Sequence, residues 1–188
     1  MKLHNKYYIL RHGEAISNAK HIASSWPEKF KNPLTVNGRK QIKEAVKTLK
    51  NKGINLIFSS DLLRTRQTAE IIGRTLKIKP KFDKRLREVS FGDINGRPAE
   101  DLFYLGSEKD RLKNGPKKSE SYENVLKRVI DFLKDIDGGY RRKNILIISH
   151  QCPLWILENK VKGFSMEEGL KRNPEEKRIS KGEIRKLK

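Results

Sequence analysis

Residues 144–150 read Asn144-Ile145-Leu146-Ile147-Ile148-Ser149-His150. Four consecutive branched or apolar residues, bounded by polar ones, form the strongest buried-strand signal in the chain. The strand ends abruptly in a hydroxyl and an imidazole. Working outward, two more stretches repeat this arrangement. Tyr7-Tyr8-Ile9-Leu10 runs into Arg11-His12-Gly13, and Ile54 to Phe58 runs into Ser59-Ser60-Asp61.

Helical spacing fills the intervals. From Thr35 to Lys52, Ile42, Ala45, Val46 and Leu49 recur at i, i+3, i+4 and i+7, with Gly53 as the stop. Ser60 or Asp61 is expected to cap a second helix running from about Leu62 to Leu76. A long helix is expected from about Ser121 to Asp137, closed by Gly138-Gly139, and another from Pro153 to Val161. Ile78 to Phe82 reads as an edge strand because Pro80 interrupts it. Glu183-Ile184-Arg185 reads as a short strand. Residues 13–37 read as a loop with one short helix. The Gly- and Pro-rich segment at about 92–120 reads as a short, cap-like insertion.

Alternating strands and helices predict an α/β fold, a three-layer α/β/α sandwich on a mostly parallel central sheet. With 188 residues, the chain is expected to form one domain over residues 1–188. In such sheets ligands bind beyond the carboxyl ends of the strands. Arg11, His12 and His150 are at such ends, and Arg64 follows another by one helical turn. Guanidinium forks match phosphate oxygens in pairs, and a neutral imidazole nitrogen can attack phosphorus. Taken singly, each histidine can equally be a hydrogen-bonded structural group; the set points to a phosphoryl site.

The formal net charge is +20, from 43 Lys+Arg against 23 Asp+Glu. Residues 1–60 carry 12 basic and 3 acidic side chains, residues 61–120 carry 15 and 10, and residues 121–188 carry 16 and 10. An excess spread this evenly favours a lysine-rich solvated surface over a nucleic-acid groove, and the basic stretches lack interleaved aromatics for base stacking. It also draws small anions toward the protein. The single cysteine, Cys152, rules out an internal disulfide and fits a reducing, cytoplasmic setting. No run approaches the roughly 18 apolar residues of a membrane span. Cys152 is followed six positions later by Glu158 rather than by Arg, so a cysteine-phosphatase site is excluded. No GxxxxGK[ST] phosphate loop, HExxH or paired CxxC motif occurs. His4 and His21 show no ligand spacing and read as surface residues.

Five ordered motifs resemble the histidine phosphatase superfamily, also called the phosphoglycerate mutase-like family. They are Arg11-His12-Gly13-Glu14 with Asn18; Pro33-Leu34-Thr35 with Gly38; Ser59 through Ala69; Leu86-Arg87-Glu88-Val89-Ser90-Phe91-Gly92 with Gly96; and Ile147-Ile148-Ser149-His150. Ser121 and Arg128 fit the family's helix before the last main strand. The resemblance implies that His12 is the nucleophile and forms a phosphohistidine. It implies that Arg11, Arg64 and His150 hold the phosphoryl oxygens, with Asn18 assisting, and that Glu88 serves as general acid and then base. No metal or other cofactor is implied. The blander alternative for Glu88 is an ion pair with Arg87 or Arg85. Ser24 is either a phosphate contact or an ordinary loop serine. Two positions depart from the family pattern. Gln151 replaces the glycine of Ser-His-Gly, keeping a backbone N–H while adding a side chain that can donate or crowd. Ala15 replaces a common Thr or Ser. The short insertion favours a phosphatase acting on a small phosphorylated substrate over a cofactor-dependent phosphoglycerate mutase. A weakly active, polyanion-binding member is the third reading.

Overall fold

The computed structural model describes residues 2–187. Strands β1 (Lys6–Arg11), β2 (Leu56–Ser59), β3 (Lys81–Phe82), β4 (Asn144–Ser149) and β5 (Ile184–Lys186) form one sheet in the order β3-β2-β4-β1-β5. The β1–β4, β2–β4 and β2–β3 pairs are parallel, and β5 runs antiparallel to β1. The register places Arg11 opposite Ser149 and Ser59 opposite Ile148. The three sequence-predicted strand ends therefore lie side by side at one edge of the sheet.

The helices are α1 (Ile16–Ala19), α2 (Val36–Lys50), α3 (Leu63–Leu76), α4 (Tyr122–Gly139), α5 (Gln151–Lys162) and α6 (Met166–Arg172). Alternate strand residues point to opposite faces, and each face has its own core. Tyr7, Ile9, Phe58, Ile145 and Ile147 pack in a cluster with Val129 and Phe132 of α4 and Trp155 of α5. Leu10, Ile57, Leu146 and Ile148 pack with Ile42 and Leu49 of α2 and Ile72 of α3. This is the expected three-layer α/β/α sandwich. Burying each large aliphatic side chain is worth about 1.5–3 kcal/mol, so the strands that carry the site are anchored from both sides.

The structure corrects several expectations. Only Lys81–Phe82 of the 78–82 stretch is strand, since Pro80 lacks the N–H that would extend the ladder. Gly138 and Gly139 form the last turn of α4 rather than ending it. Helix α3 begins after Leu62, which has no side-chain cap. Ser60 and Asp61 are not its caps because both are engaged elsewhere, with His150 and Arg87 respectively. Helix α6 was not anticipated, although Ser165 and Glu168 form a capping box at its start.

One close approach fixes the loop after β1. A Cβ on Gly13 would lie 2.5 Å from the Gly38 carbonyl oxygen, and one on Gly38 would lie 2.0 Å from that of Glu14. The two glycines thus let the Arg11–Glu14 turn press against the first turn of α2. Glu14 helps secure that turn, accepting a hydrogen bond from the Thr35 hydroxyl at 2.6 Å, while Thr35 caps α2 by accepting from the Gly38 N–H.

Candidate active site

His12 follows β1 directly and is buried. Its Nδ1 lies 2.7 Å from its neighbour's carbonyl oxygen, that of Gly13. A carbonyl can only accept, so Nδ1 carries the ring proton and Nε2 keeps its lone pair. The Arg64 Nε donates to this Nε2 at 3.2 Å. Burial first, then the Arg64 and Arg11 charges, hold the imidazole well below its ordinary 6.5, so the ring is neutral at pH 7.

His150 lies beyond the end of β4, its ring centroid 5.1 Å from that of His12. Its Nε2 lies 3.0 Å from the Ser60 hydroxyl. That hydroxyl also accepts from the Leu62 N–H at 3.4 Å, and with a second lone pair and one proton it pairs equally with either tautomer of the ring. The other ring nitrogen, Nδ1, is buried and has no hydrogen-bond partner among the described residues. Burial, with Arg64 adding to it, also depresses this imidazole well below 6.5.

The two arginines complete the group. Arg11 donates through Nη1 to the Ile179 carbonyl at 3.2 Å. Arg64, in the first turn of α3, donates through Nη2 to the Ser24 carbonyl at 3.1 Å. Arg11 Nε and Arg64 Nη1 are both buried without a hydrogen-bond partner among the described residues, the Glu28 carboxylate standing 3.6 Å from the latter. Burial lowers both guanidinium values, that of Arg64 to about 10, so both stay charged at neutral pH. Unpaired buried donors are costly, and cations aimed at one space suit a multivalent anion. Helix α5 adds to this field. Its N-cap is His150, no side chain caps it, and its first residue is Gln151; free amides at a helix start favour an anion.

A cavity of about 300 Å³ opens beside these groups, lined by Arg11, His12, Asn18, Ser24, Arg64, Glu88 and Gln151. Asn18 accepts from the Ala15 N–H through Oδ1 at 2.9 Å. The Ser24 hydroxyl accepts from Asn32 at 3.0 Å. Gln151 is an ordinary helical residue, not one of the positive-φ positions, so its backbone has no need of glycine.

Glu88 faces the same cavity. Desolvation raises its carboxyl above the ordinary 4.5, only partly offset by the Val89 N–H at 3.0 Å and by Arg64 and Arg11. The alternative of an ion pair with Arg87 or Arg85 does not hold. Arg87 forms a fork with Asp61 at 2.7 and 2.6 Å, and Arg85 pairs with Asp83, Asp131 and Asp135. Arg128 holds the Glu88 backbone, donating to the carbonyls of Arg85, Arg87 and Glu88 while gripping Glu120.

His21 and Lys181 are among the cavity residues that sequence reading did not place there. His21, read as a surface residue, lies at the rim, and Lys181 reaches it from the carboxyl-terminal segment. Lys181 is far from the motifs in sequence, and the Gly182 N–H bond to the Arg11 carbonyl at 3.0 Å brings it in. Cys152 is buried, and desolvation raises its thiol well above its ordinary value, as fits a packing residue. Among the described residues, no three His, Cys, Asp or Glu side chains are grouped as metal ligands would be. No described helix is long and apolar enough to cross a membrane.

Comparison with known proteins agrees with this fold. The Escherichia coli protein described as probable phosphoglycerate mutase GpmB is 31% identical over 167 residues, covering 84% of this chain and 74% of its own length. The alpha-ribazole phosphatase from Shigella flexneri superposes with a TM-score of 0.80 at 24% identity, covering 95% of this chain and 88% of its own. A mycobacterial glucosyl-3-phosphoglycerate phosphatase complexed with VO3 gives a TM-score of 0.83 at 20% identity, covering 95% and 90%. The family model for the histidine phosphatase superfamily, branch 1, matches residues 7–186. The chain therefore belongs to the histidine phosphatase superfamily.

Proposed function

We propose that the protein is a phosphatase that hydrolyses phosphate monoesters through a phosphohistidine on His12. One observation carries this reading: two buried arginine donors with no hydrogen-bond partner among the described residues, Arg11 Nε and Arg64 Nη1, accompany the unprotonated Nε2 of His12. In the first step Nε2 attacks phosphorus and the ester P–O bond breaks. Glu88, as the acid, gives its proton to the departing oxygen, and the alcohol leaves. In the second step the Glu88 carboxylate takes a proton from water, whose oxygen attacks phosphorus. The P–N bond breaks, releasing inorganic phosphate and neutral His12. Arg11 and Arg64 neutralise charge on the phosphoryl oxygens in both transition states, with the uncharged His150 imidazole packed beside His12 as a hydrogen-bonding group. Asn18, Ser24 and the Gln151 backbone N–H supply further contacts at the cavity wall. A raised Glu88 carboxyl supports the acid role, since a general acid works best with a value near the working pH.

The short turns over residues 92–118, three of them 3-10 helical, support hydrolysis over phosphoryl shuttling, because they leave little chain to exclude water from the phosphoenzyme. The relative described as a probable mutase makes the comparison a direct one. Phosphate release from simple esters should exceed interconversion of phosphoglycerates in the presence of 2,3-bisphosphoglycerate. An acid-labile phosphoprotein should form in the wild type and not in His12→Ala. Faster interconversion than release would make the protein a mutase. Salt-sensitive polyanion binding as the main property, with no turnover, would favour the binding reading.

A further inference from the structure

A second cavity of about 330 Å³ adjoins the first and shares Glu88, Phe91, Leu102 and Gln151 with it. On the mechanism above, Glu88 protonates the departing oxygen, so the alcohol half of the substrate is directed to the side where Glu88 faces both spaces. The chemistry of the second wall then indicates which alcohol fits.

That wall is apolar at Phe91, Leu102 and Phe103, and its charges cancel. Arg178 forms a fork with Glu108, Nη1 to Oε1 and Nη2 to Oε2 both at 2.7 Å. Arg178 also lies over the Trp155 ring at 4.3 Å with only 4% of its side chain exposed. Arg111 stands 3.9 Å from the same Glu108 carboxylate, and Glu175 is a second acid on the lining. An added carboxylate or phosphate on the substrate therefore meets a wall whose two arginines are matched in number by Glu108 and Glu175, with no formal excess of positive charge, yet would lose its hydration. Two donors remain, the Nε atoms of Arg111 and Arg178, both buried and without a partner among the described residues. They suit neutral oxygen acceptors. Phe103, 72% exposed, offers a ring face at the edge.

We propose that this cavity is a leaving-group subsite selecting phosphomonoesters of uncharged, ring-bearing alcohols, and that the Glu108–Arg178 pair excludes substrates carrying a second anionic group. The proposal rests on the phosphatase reading for the direction of departure.

The test measures kcat/KM of the full chain for benzyl phosphate and 3-phosphoglycerate, whose alkoxide leaving groups are of similar basicity, with methyl phosphate as the truncated reference. The wild type should prefer benzyl phosphate to 3-phosphoglycerate by tenfold or more. Glu108→Gln, which leaves Arg178 uncompensated, should reduce that preference at least tenfold. A wild-type preference for 3-phosphoglycerate, or a ratio unmoved by Glu108→Gln in a folded variant, overturns the proposal. A second measurement needs neither turnover nor that variant. Benzylphosphonate should bind at least tenfold tighter than methylphosphonate by calorimetry, and Phe103→Ala should remove at least threefold of the difference. Equal affinities overturn the subsite whatever the esters do. Failure of His12→Ala to abolish the phosphoprotein would instead count against the catalytic reading, so the two failures are distinguishable.

Discussion

The Nε of Arg64 donates to the Nε2 of His12 at 3.2 Å, while the other ring nitrogen of His12 is fixed by the Gly13 carbonyl at 2.7 Å. One arginine thus holds the imidazole plane and marks the atom that keeps a lone pair. In the proposed mechanism a phosphoryl group arriving at Nε2 would take this N–H on one of its oxygens. Replacing Arg64 with Met should lower kcat/KM by about 10²–10³-fold, the usual cost of one transition-state donor. The same change removes the second-largest influence depressing His12, so the His12 titration followed by NMR should move up toward 6.5. A loss of activity without that movement would mean Arg64 acts on substrate alone.

Stability should fall as pH drops below about 6.5. His12 and His150 are depressed in the fold, so below 6.5 the unfolded chain binds protons that the native state does not. Each contributes a slope of about 1.4 kcal/mol per pH unit once the pH is well below 6.5. Glu88 works the other way, because its raised value lets the native state bind a proton first; its contribution fades as pH rises through that value. Urea unfolding between pH 5 and 7 should show a net loss on the acid side, and His12→Asn should flatten the slope by about one histidine's share. An unchanged slope would mean that His12 titrates normally in the native state.

Glu88→Gln should cost about 10²–10⁴-fold in turnover of an alkyl phosphate, the range for a general acid. Its effect on the first step should be far smaller for p-nitrophenyl phosphate, whose leaving group needs no proton. Burst kinetics separate the two steps, and equal losses on both substrates in the burst would remove Glu88 from the acid role. The alkaline limb of kcat/KM for alkyl esters should belong to Glu88, above the ordinary carboxyl value, and should disappear in the variant.

Arg128 touches no described wall of the cavity but ties the Glu88 backbone to Glu120. Arg128→Leu should lower stability by about 2–3 kcal/mol through the unpaired Glu120 and the freed carbonyls. It should reduce kcat more than it raises KM, with the alkaline limb shifted as Glu88 moves. A purely structural role would leave that limb in place.

Gln151→Gly restores the residue of the family's usual motif. Because Gln151 is helical and its backbone N–H stands at the start of α5, the change should leave kcat within about threefold. It should lower stability by no more than about 1 kcal/mol, the usual helix cost of glycine. A large gain in activity would show that the glutamine side chain obstructs the site.

The strand–helix alternation, the positions of both core faces and the residues that gather at the candidate site, Arg11, His12, Arg64 and Glu88, are legible in the chain itself. Apolar periodicity reports which residues a strand or helix must bury, and the motifs fall at strand ends because the sheet offers ligands only that edge. The alternation also reads correctly through Ile145–Ile148, where each residue faces one core or the other. Pairing is another matter. Whether Glu88 meets Arg87 or stays free depends on Asp61 and Asp131 arriving from distant elements, and no local pattern encodes that. The tautomer of His12 follows from the Gly13 carbonyl, which the folded turn brings to Nδ1, and the Ser60 hydroxyl reaches His150 only in the fold. Lys181, Arg178 and Glu108 reach the cavities through contacts across 70 residues or more, as the Arg178–Glu108 fork does. The sequence alone determined the layers and the residue types that stand at the ends of the strands, because burial and periodicity are local properties. Only the tertiary structure decided which charges remain unpaired, because that depends on long-range partners competing for the same side chains.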